Sequence, residues 1–215
     1  MKVYFISGLA ADKRVFKHIK LPEGYEIVHL DWIESLDNDT LASYALRLGS
    51  SIDTSVPFGI VGLSMGGMMA SEIARKHHPA FTVLISSVPC NAHLPKYFKI
   101  FRTLRLHRMV PVAILKQASI VKRMFTSESS GDKKIVCDVI RDSDPRFIKW
   151  AMHAVLTWSC EQLSHPYIHV HGTRDEILPV RYTKPTHLVK GAGHLMIMTR
   201  ASEVNRILQE VCRRR

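Results

Sequence analysis

Residues 59–67, with the sequence GIVGLSMGG, predict a buried strand that runs through a tight turn into a helix. The strand is expected at 57–61, the turn at 62–66 and the helix at about 65–77. Gly62, Ser64 and Gly66 fit the pattern G-x-S-x-G, in which a strained turn needs neighbours without a Cβ. Such a turn presents the serine hydroxyl at a helix N-terminus, where free N–H groups favour a negatively charged oxygen. Ser64 is therefore a candidate nucleophile.

Two other interpretations of this segment are open. The turn is also compatible with an ordinary strand-to-helix connection, in which Gly67 allows close helix packing. A dinucleotide-binding fingerprint, G-x-G-x-x-G, would need glycine where Ser64 stands. The rest of the chain decides between these alternatives.

Strands alternate with helices over most of the sequence. Short apolar runs predict strands at 2–7, 25–30, 57–61, 81–86, 167–170 and 186–189. Helices are expected at about 12–20, capped by Asp12, and at 38–52, 65–77 and 202–212. This alternation predicts an α/β fold with a mostly parallel sheet of about six strands, flanked by helices. In such sheets, ligands bind beyond the carboxyl ends of the strands.

The pattern changes between residues 90 and 163, where no strand is evident. Four helical pieces are expected there, at about 95–109, 111–125, 132–141 and 145–160. Pro111 and Pro145 suit first helical positions, and Asp144 is the expected N-cap of the last piece. Because this stretch is too long for a loop, we predict a core formed by 1–89 and 164–215, with a helical insertion at 90–163.

A serine hydroxyl needs a base to take its proton, and an imidazole oriented by a carboxylate is suited to that task. The expected chain order for such a group after G-x-S-x-G is serine, acid, histidine. Here Asp175 and His194 each follow a predicted strand, in that order after Ser64. Glu176 is the alternative acid, and position favours Asp175.

Two histidine patterns have structural alternatives. His194, taken alone, is compatible with a packed histidine beside an apolar run. His169 and His171 share one face of a strand at a spacing that a metal could use, but no third ligand is evident.

On these motifs the chain resembles the α/β-hydrolase family from Lys2 to about Val211. The turn at 62–67, which in this family is called the nucleophile elbow, matches closely. Residues 171–175 (HGTRD) resemble the loop that carries the family's acid, and residues 191–194 (GAGH) resemble the loop that carries its histidine. The insertion resembles the helical lid of family members. The resemblance implies six strands in the family order 4-3-5-6-7-8, without the first antiparallel hairpin.

The resemblance also implies a catalytic triad of Ser64, His194 and Asp175, with no metal and no organic cofactor. An oxyanion hole is expected from the backbone N–H of Met65 and, by resemblance, of Leu9. Residues 7–9 (SGL) correspond to a His-Gly-x loop, so Ser7 replaces the usual histidine. Met65, Met68 and Met69 are expected to pack the elbow helix or to line an acyl pocket.

The chain carries a formal net charge of +11, and part of the insertion is strongly basic. No Asp or Glu occurs from Asn91 to Met124. Eight basic residues lie in that stretch: Lys96, Lys99, Arg102, Arg105, Arg108, Lys116, Lys122 and Arg123. A solvated basic face is the simpler interpretation; an anionic substrate, or peripheral contact with an anionic membrane, is the alternative. No nucleic-acid-binding motif is present.

Location and partners follow from smaller features. The four cysteines form no C-x-x-C motif and are expected to be reduced thiols. An apolar N-terminal run is followed at once by the charged residues 12–14, which favours a first strand over a signal peptide. No apolar run is long enough to span a bilayer. These features favour the cytoplasm, and they leave the oligomeric state open.

The sequence therefore predicts a serine hydrolase that cleaves an ester or thioester bond of a small acyl substrate. Acyl transfer and carbon–carbon bond cleavage are the nearest alternatives, because the same triad supports them. A non-catalytic protein that binds a ligand in a lidded pocket, or one that binds polyanions or membranes through its basic insertion, belongs to different classes.

Overall fold

A computed structural model describes residues 1–104, 130–160, 163 and 165–214. In these residues six strands form one sheet in the order β2-β1-β3-β4-β5-β6. All five pairings between neighbouring strands are parallel. The predicted strand number and order are confirmed. The strands are β1 (Lys2–Ile6), β2 (Glu26–Leu30), β3 (Gly59–Leu63), β4 (Phe81–Ile85), β5 (Ile168–Gly172) and β6 (His187–Val189).

Helices cover both faces of this sheet. In the described chain they are α1 (Leu41–Leu48), α2 (Met65–His77), α3 (Lys96–Thr103), α4 (Ser130–Asp142), α5 (Pro145–Thr157), α6 (Met196–Thr199) and α7 (Ala201–Arg213). On one face, Phe5, Val61 and Val170 pack with α7. On the other, Ile60 and Leu84 pack with α1, α2 and α5. Because both faces are covered, the central strands are apolar at successive positions instead of alternating.

The predicted helix at 12–20 is wrong in length. Asp12 does cap it, accepting the Arg14 N–H at 2.9 Å, but only one 3₁₀ turn follows, Lys13–Phe16. The chain then leaves the helical path, and the N–H of Lys20 donates to the side chain of Asn205 at 3.0 Å. A contact with a residue so distant in sequence outweighs local helix preference.

The predicted helix at 38–52 starts later and ends earlier than expected. Thr40 caps α1 in a reciprocal pair of hydrogen bonds with Ser43, so that the helix begins at Leu41. It ends at Leu48, and a 3₁₀ turn at Gly49–Ser51 follows.

The insertion is helical where the structure describes it. Helices α3, α4 and α5 match three of the expected pieces, and the predicted helix at 111–125 lies outside the described residues. Helix α5 packs on the core: Trp158 is buried and donates from Nε1 to Glu72 at 2.6 Å. Trp150 donates to the carbonyl of Asp39 at 3.2 Å. That this segment acts as a lid stays a prediction.

The N-cap predicted at Asp144 is confirmed, because its carboxylate accepts the Arg146 N–H at 2.8 Å, with Pro145 at the first helical position. We expect Asp144→Ala to lower the free energy of unfolding by about 1 kcal/mol, since one N–H at the helix start loses its partner. Urea denaturation would measure this. Asp37→Ala, which removes an exposed carboxylate that caps no helix, is the charge-matched control. Equal losses in the two variants would contradict a capping role.

Candidate active site

Ser64 connects β3 to α2 in a strained backbone conformation. Its φ of 52° and ψ of −120° lie outside the regions that non-glycine residues favour. The surrounding structure holds this geometry from both sides. The N–H of Ser64 donates to the carbonyl of Ile85 at 2.9 Å, and the hydroxyl of Ser87 donates to the carbonyl of Ser64 at 2.6 Å.

The tight turn depends on a close approach at Gly62. A Cβ at this position would lie 2.2 Å from the carbonyl oxygen of Gly66, inside the first turn of α2. Glycine is therefore required where the strand meets the helix. The strained, glycine-bounded turn expected from the sequence is present.

Asp175 and His194 lie in the loops that follow β5 and β6, beside Ser64. His194 Nε2 is 2.9 Å from Ser64 Oγ, and His194 Nδ1 is 2.8 Å from Asp175 Oδ2. Asp175 and His194 are buried, at 4% and 6% exposure, whereas Ser64 is partly accessible. The structure thus brings the three candidate residues into one hydrogen-bonded line, although they are far apart in sequence. Glu176, the alternative acid, is exposed.

The Asp175 carboxylate is surrounded by donors. Its Oδ1 accepts the backbone N–H groups of Ile177 and Leu178 at 3.0 and 2.9 Å. Burial by itself raises the pKa of Asp175. The nearby His194, together with hydrogen bonds from His171, His194 and the Leu178 N–H, outweighs burial and holds that pKa below its usual value. This carboxyl is therefore an anion at neutral pH.

The two strand histidines weighed as metal ligands instead contact one another behind Asp175. His169 Nε2 is 3.0 Å from His171 Nδ1, and both side chains are buried. Within the described ranges, no group of three His, Cys, Asp or Glu side chains is arranged to hold a metal ion. The contact of His171 with the acid loop was not predicted from the sequence. The i, i+4 spacing of His171 and Asp175 across the end of a strand was the available signal.

The loop after β1 passes directly beside Ser64. A Cβ on Gly8 would lie 3.2 Å from the Cβ of Ser64. The loop closes with a hydrogen bond from the Ala11 N–H to the Gly8 carbonyl at 3.1 Å, and Ala10 has a φ of 55°. Leu9 therefore sits in a tight turn next to the candidate nucleophile. Use of its N–H as an oxyanion donor stays a prediction.

Ser7, which replaces the histidine expected from the resemblance, has a defined contact in this loop. Its hydroxyl donates to the carbonyl of Ala11 at 2.9 Å. The indole N–H of Trp32 donates to the same oxygen at 2.8 Å. These two side chains hold the turn at the Ala11 carbonyl, and the contribution of Trp32 was not predicted from the sequence.

A cavity of about 770 Å³ adjoins this loop, between the segment after β2 and helices α4 and α5. Ala10 and Ala11 form one side, and Trp32, Phe147 and Trp150 form an aromatic wall. Its lining includes six carboxylates and Arg146; the carboxylates are Asp12, Asp31, Glu34, Asp37, Asp142 and Asp144. Four of these carboxylates have a basic partner, Asp12 and Asp142 in Arg14, Asp31 in Lys13 and Asp144 in Arg146. The lining therefore offers little attraction to an anionic substrate.

The methionines of the elbow helix belong to the core. Met65, Met68 and Met69 are at most 2% exposed and pack among apolar residues of α1, α2 and β3. Packing, the first of the two roles considered for them, is therefore the role that the structure favours.

Helix α3 carries the described part of the basic insertion. Ile100, Phe101 and Leu104, on and just after this helix, are exposed apolar side chains. No helix in the described ranges is both long and apolar enough to cross a bilayer. Peripheral contact with a membrane stays a prediction.

A family model described as the alpha/beta hydrolase family matches residues 3–207. A sequence search of curated proteins finds no significant match.

Several solved structures share the fold. A thermophilic esterase from Thermogutta terrifontis superposes with a TM-score of 0.78 at 20% identity, covering 100% of this chain and 90% of that chain. The enol-lactonase from Burkholderia xenovorans LB400 gives 0.76 at 15% identity, with 98% and 90% covered. MenH from S. aureus gives 0.75 at 15% identity, with 100% and 94% covered. At these identities the similarity establishes the fold.

Proposed function

The chain belongs to the α/β-hydrolase family, and we propose that it is a serine hydrolase acting on an ester or thioester of a small acyl substrate. The observation that carries the proposal is the line of contacts from Ser64 Oγ through His194 to the buried Asp175 carboxylate, at 2.9 and 2.8 Å. A merely structural serine does not need a strained turn, a base and a buried acid together.

Each residue of the triad has a separate task in the proposed reaction. Ser64 Oγ attacks the substrate carbonyl while His194 Nε2 takes its proton. Asp175 holds His194 with the Nδ1 proton facing the carboxylate, so that Nε2 is free to act as the base. His194 then returns the proton to the leaving group, and the acyl group remains on Ser64. Water, activated by the same histidine, releases the acid.

The negative charge on the carbonyl oxygen needs donors in the transition state. Met65 is the first residue of α2, so its N–H has no partner within the helix. Together with the N–H of Leu9 on the neighbouring turn, it forms the proposed oxyanion hole. The anchoring of that turn by Ser7 and Trp32 supports a hole that is organised before the substrate binds.

The cavity beside the turn is a candidate site for part of the substrate, although no triad residue lines it. Its volume falls in the range of small-molecule sites, and its aromatic wall suits an apolar moiety.

Labelling with a fluorophosphonate, followed by peptide mass spectrometry, tests the proposal. We expect an adduct on Ser64 in the wild type and none in Ser64→Ala, because the nucleophile is missing. His194→Ala should also be unlabelled on the same time scale, because the serine is no longer activated. Heat-denatured protein is the control for non-specific reaction. A folded wild type that does not react, or an adduct at another serine that persists in Ser64→Ala, would contradict the proposal.

Product analysis with a competing acceptor separates hydrolysis from acyl transfer. An activated ester is turned over with and without a small alcohol or amine, and the free acid is quantified. Hydrolysis predicts that the acid remains the main product. A shift to the acylated acceptor at low acceptor concentration would favour a transferase.

A further inference from the structure

Two buried histidines of β5 adjoin the acid of the proposed triad, His171 directly and His169 through its contact with His171. His171 Nε2 is 2.7 Å from the carbonyl oxygen of Leu178 and 3.3 Å from Asp175 Oδ2. His171 Nδ1 is 3.0 Å from His169 Nε2. The two side chains are buried, at 0% and 1% exposure, on the same face of β5. Neither has a role in the reaction as described above.

The partners of His171 determine where its proton lies. Both groups near its Nε2, the Leu178 carbonyl and the Asp175 carboxylate, can only accept hydrogen bonds. Nε2 must therefore carry a proton, and a neutral ring then has a lone pair at Nδ1.

His169 is suited to hold that tautomer. Burial, with the neighbouring His171, lowers the pKa of His169 to about 3, so its ring is neutral and has one proton. Its Nδ1 forms no hydrogen bond of normal geometry, although the Ser87 backbone lies near the ring, whereas its Nε2 faces His171 Nδ1 at 3.0 Å. The proton is therefore better satisfied on Nε2, where it is donated to His171.

The contact with Leu178 also acts on Asp175 through the backbone. The N–H of Leu178 donates to Asp175 Oδ1, and its carbonyl accepts from His171. His171 thus fixes the loop whose Leu178 N–H binds Oδ1 of Asp175. The Nε2–H of His171 lies beside the other carboxylate oxygen, Oδ2. His194 Nδ1 approaches that same oxygen, Oδ2.

We propose that His171 is a positioning residue that holds the Asp175 carboxylate in line with His194, and that His169 keeps His171 in the required tautomer. The inference rests on the proposed hydrolase function, because the acid is positioned for that reaction. His171 touches neither the substrate nor Ser64; it acts through Asp175.

The test compares variants that keep or remove the N–H donor. His171→Gln places an amide N–H near the original Nε2, whereas His171→Leu has no donor at similar bulk. Val170→Ala changes the neighbouring residue of β5, which is equally buried but points to the opposite face, and controls for lost stability. The first readout is the rate of fluorophosphonate labelling at Ser64. The second is the downfield NMR signal of the His194 Nδ1–H that Asp175 accepts, which does not require turnover.

We expect His171→Leu to slow labelling by about 10- to 100-fold, as a misplaced catalytic group does, and to shift or broaden the NMR signal. His171→Gln should keep both readouts close to the wild type, and Val170→Ala should leave the labelling rate unchanged. If His171→Leu does not fold, His169→Leu replaces it. We expect that variant to slow labelling at Ser64 a few-fold and to shift the NMR signal of the His194 Nδ1–H. Wild-type labelling and an unchanged signal in the leucine variant would overturn the inference.

If the wild type is not labelled, the proposed function is contradicted. That result alone does not overturn the inference about His171. The NMR signal in the same set of variants still decides whether His171 positions the acid. An unchanged signal in His171→Leu overturns it, and a shifted signal that His171→Gln restores supports it.

Discussion

Replacing Asp175 with asparagine is expected to reduce kcat/KM for an activated ester by about 10⁴-fold. The reason lies in how the amide must orient. Oδ1 of Asp175 accepts two backbone N–H groups, from Ile177 and Leu178. An asparagine must keep its oxygen there, because its NH₂ group cannot accept those bonds. The NH₂ group therefore takes the place of Oδ2, opposite His194 Nδ1.

That orientation reverses the tautomer of His194. Facing a donor, Nδ1 must accept, so the proton moves to Nε2, which faces Ser64 Oγ. A protonated Nε2 cannot take the proton of the serine, and nucleophilic attack loses its base. The fold should survive, since the side chain keeps its volume.

Hydrolysis of p-nitrophenyl acetate at neutral pH measures this effect. Glu176→Gln is the matched control: it removes the same charge from the adjacent residue, which is exposed. We expect that variant to keep wild-type activity. Loss of activity in Glu176→Gln, with activity retained in Asp175→Asn, would mean that Glu176 and not Asp175 is the acid, and would contradict the proposed triad.

The sheet and the meeting of Ser64, Asp175 and His194 could be anticipated because they follow from local patterns. Each strand is a short apolar run, and G-x-S-x-G needs no information beyond its own five positions. Once the strands are parallel, their carboxyl ends meet at one edge, so residues that follow β3, β5 and β6 converge. Residues separated by more than a hundred positions were therefore predictable neighbours.

Contacts made by single side chains across the fold were not predictable in the same way. The helix expected at 12–20 ends after one turn at Phe16, and the N–H of Lys20 donates to Asn205 instead of to the helix. The loop that carries Leu9 is fixed by Trp32, whose indole reaches back to Ala11. No periodicity in the sequence encodes either contact, since each depends on how separate elements pack. The same is true of His171, whose partner at Leu178 is set by the path of the acid loop.

Replacing Gly66 with alanine is expected to destabilise the protein by at least about 3 kcal/mol, or to prevent folding. A Cβ on Gly66 would lie 2.2 Å from the carbonyl oxygen of Ser7 and 2.3 Å from that of Ile6. These are backbone atoms at the end of β1, so they cannot turn away as a flexible side chain can. Relief of the clash requires α2 to move from the sheet, which separates Ser64 from the loop that carries Leu9.

Gly131→Ala provides the opposite expectation for the same chemical change. Gly131 lies in helix α4, and nothing is within 4 Å of the position that its Cβ would take. Alanine there should raise the free energy of unfolding by roughly 0.5 kcal/mol, because it reduces the flexibility of the unfolded chain. Urea denaturation of both variants measures the difference. A mild effect of Gly66→Ala would mean that the elbow can separate from β1, and the proposed oxyanion hole would then lack a fixed geometry.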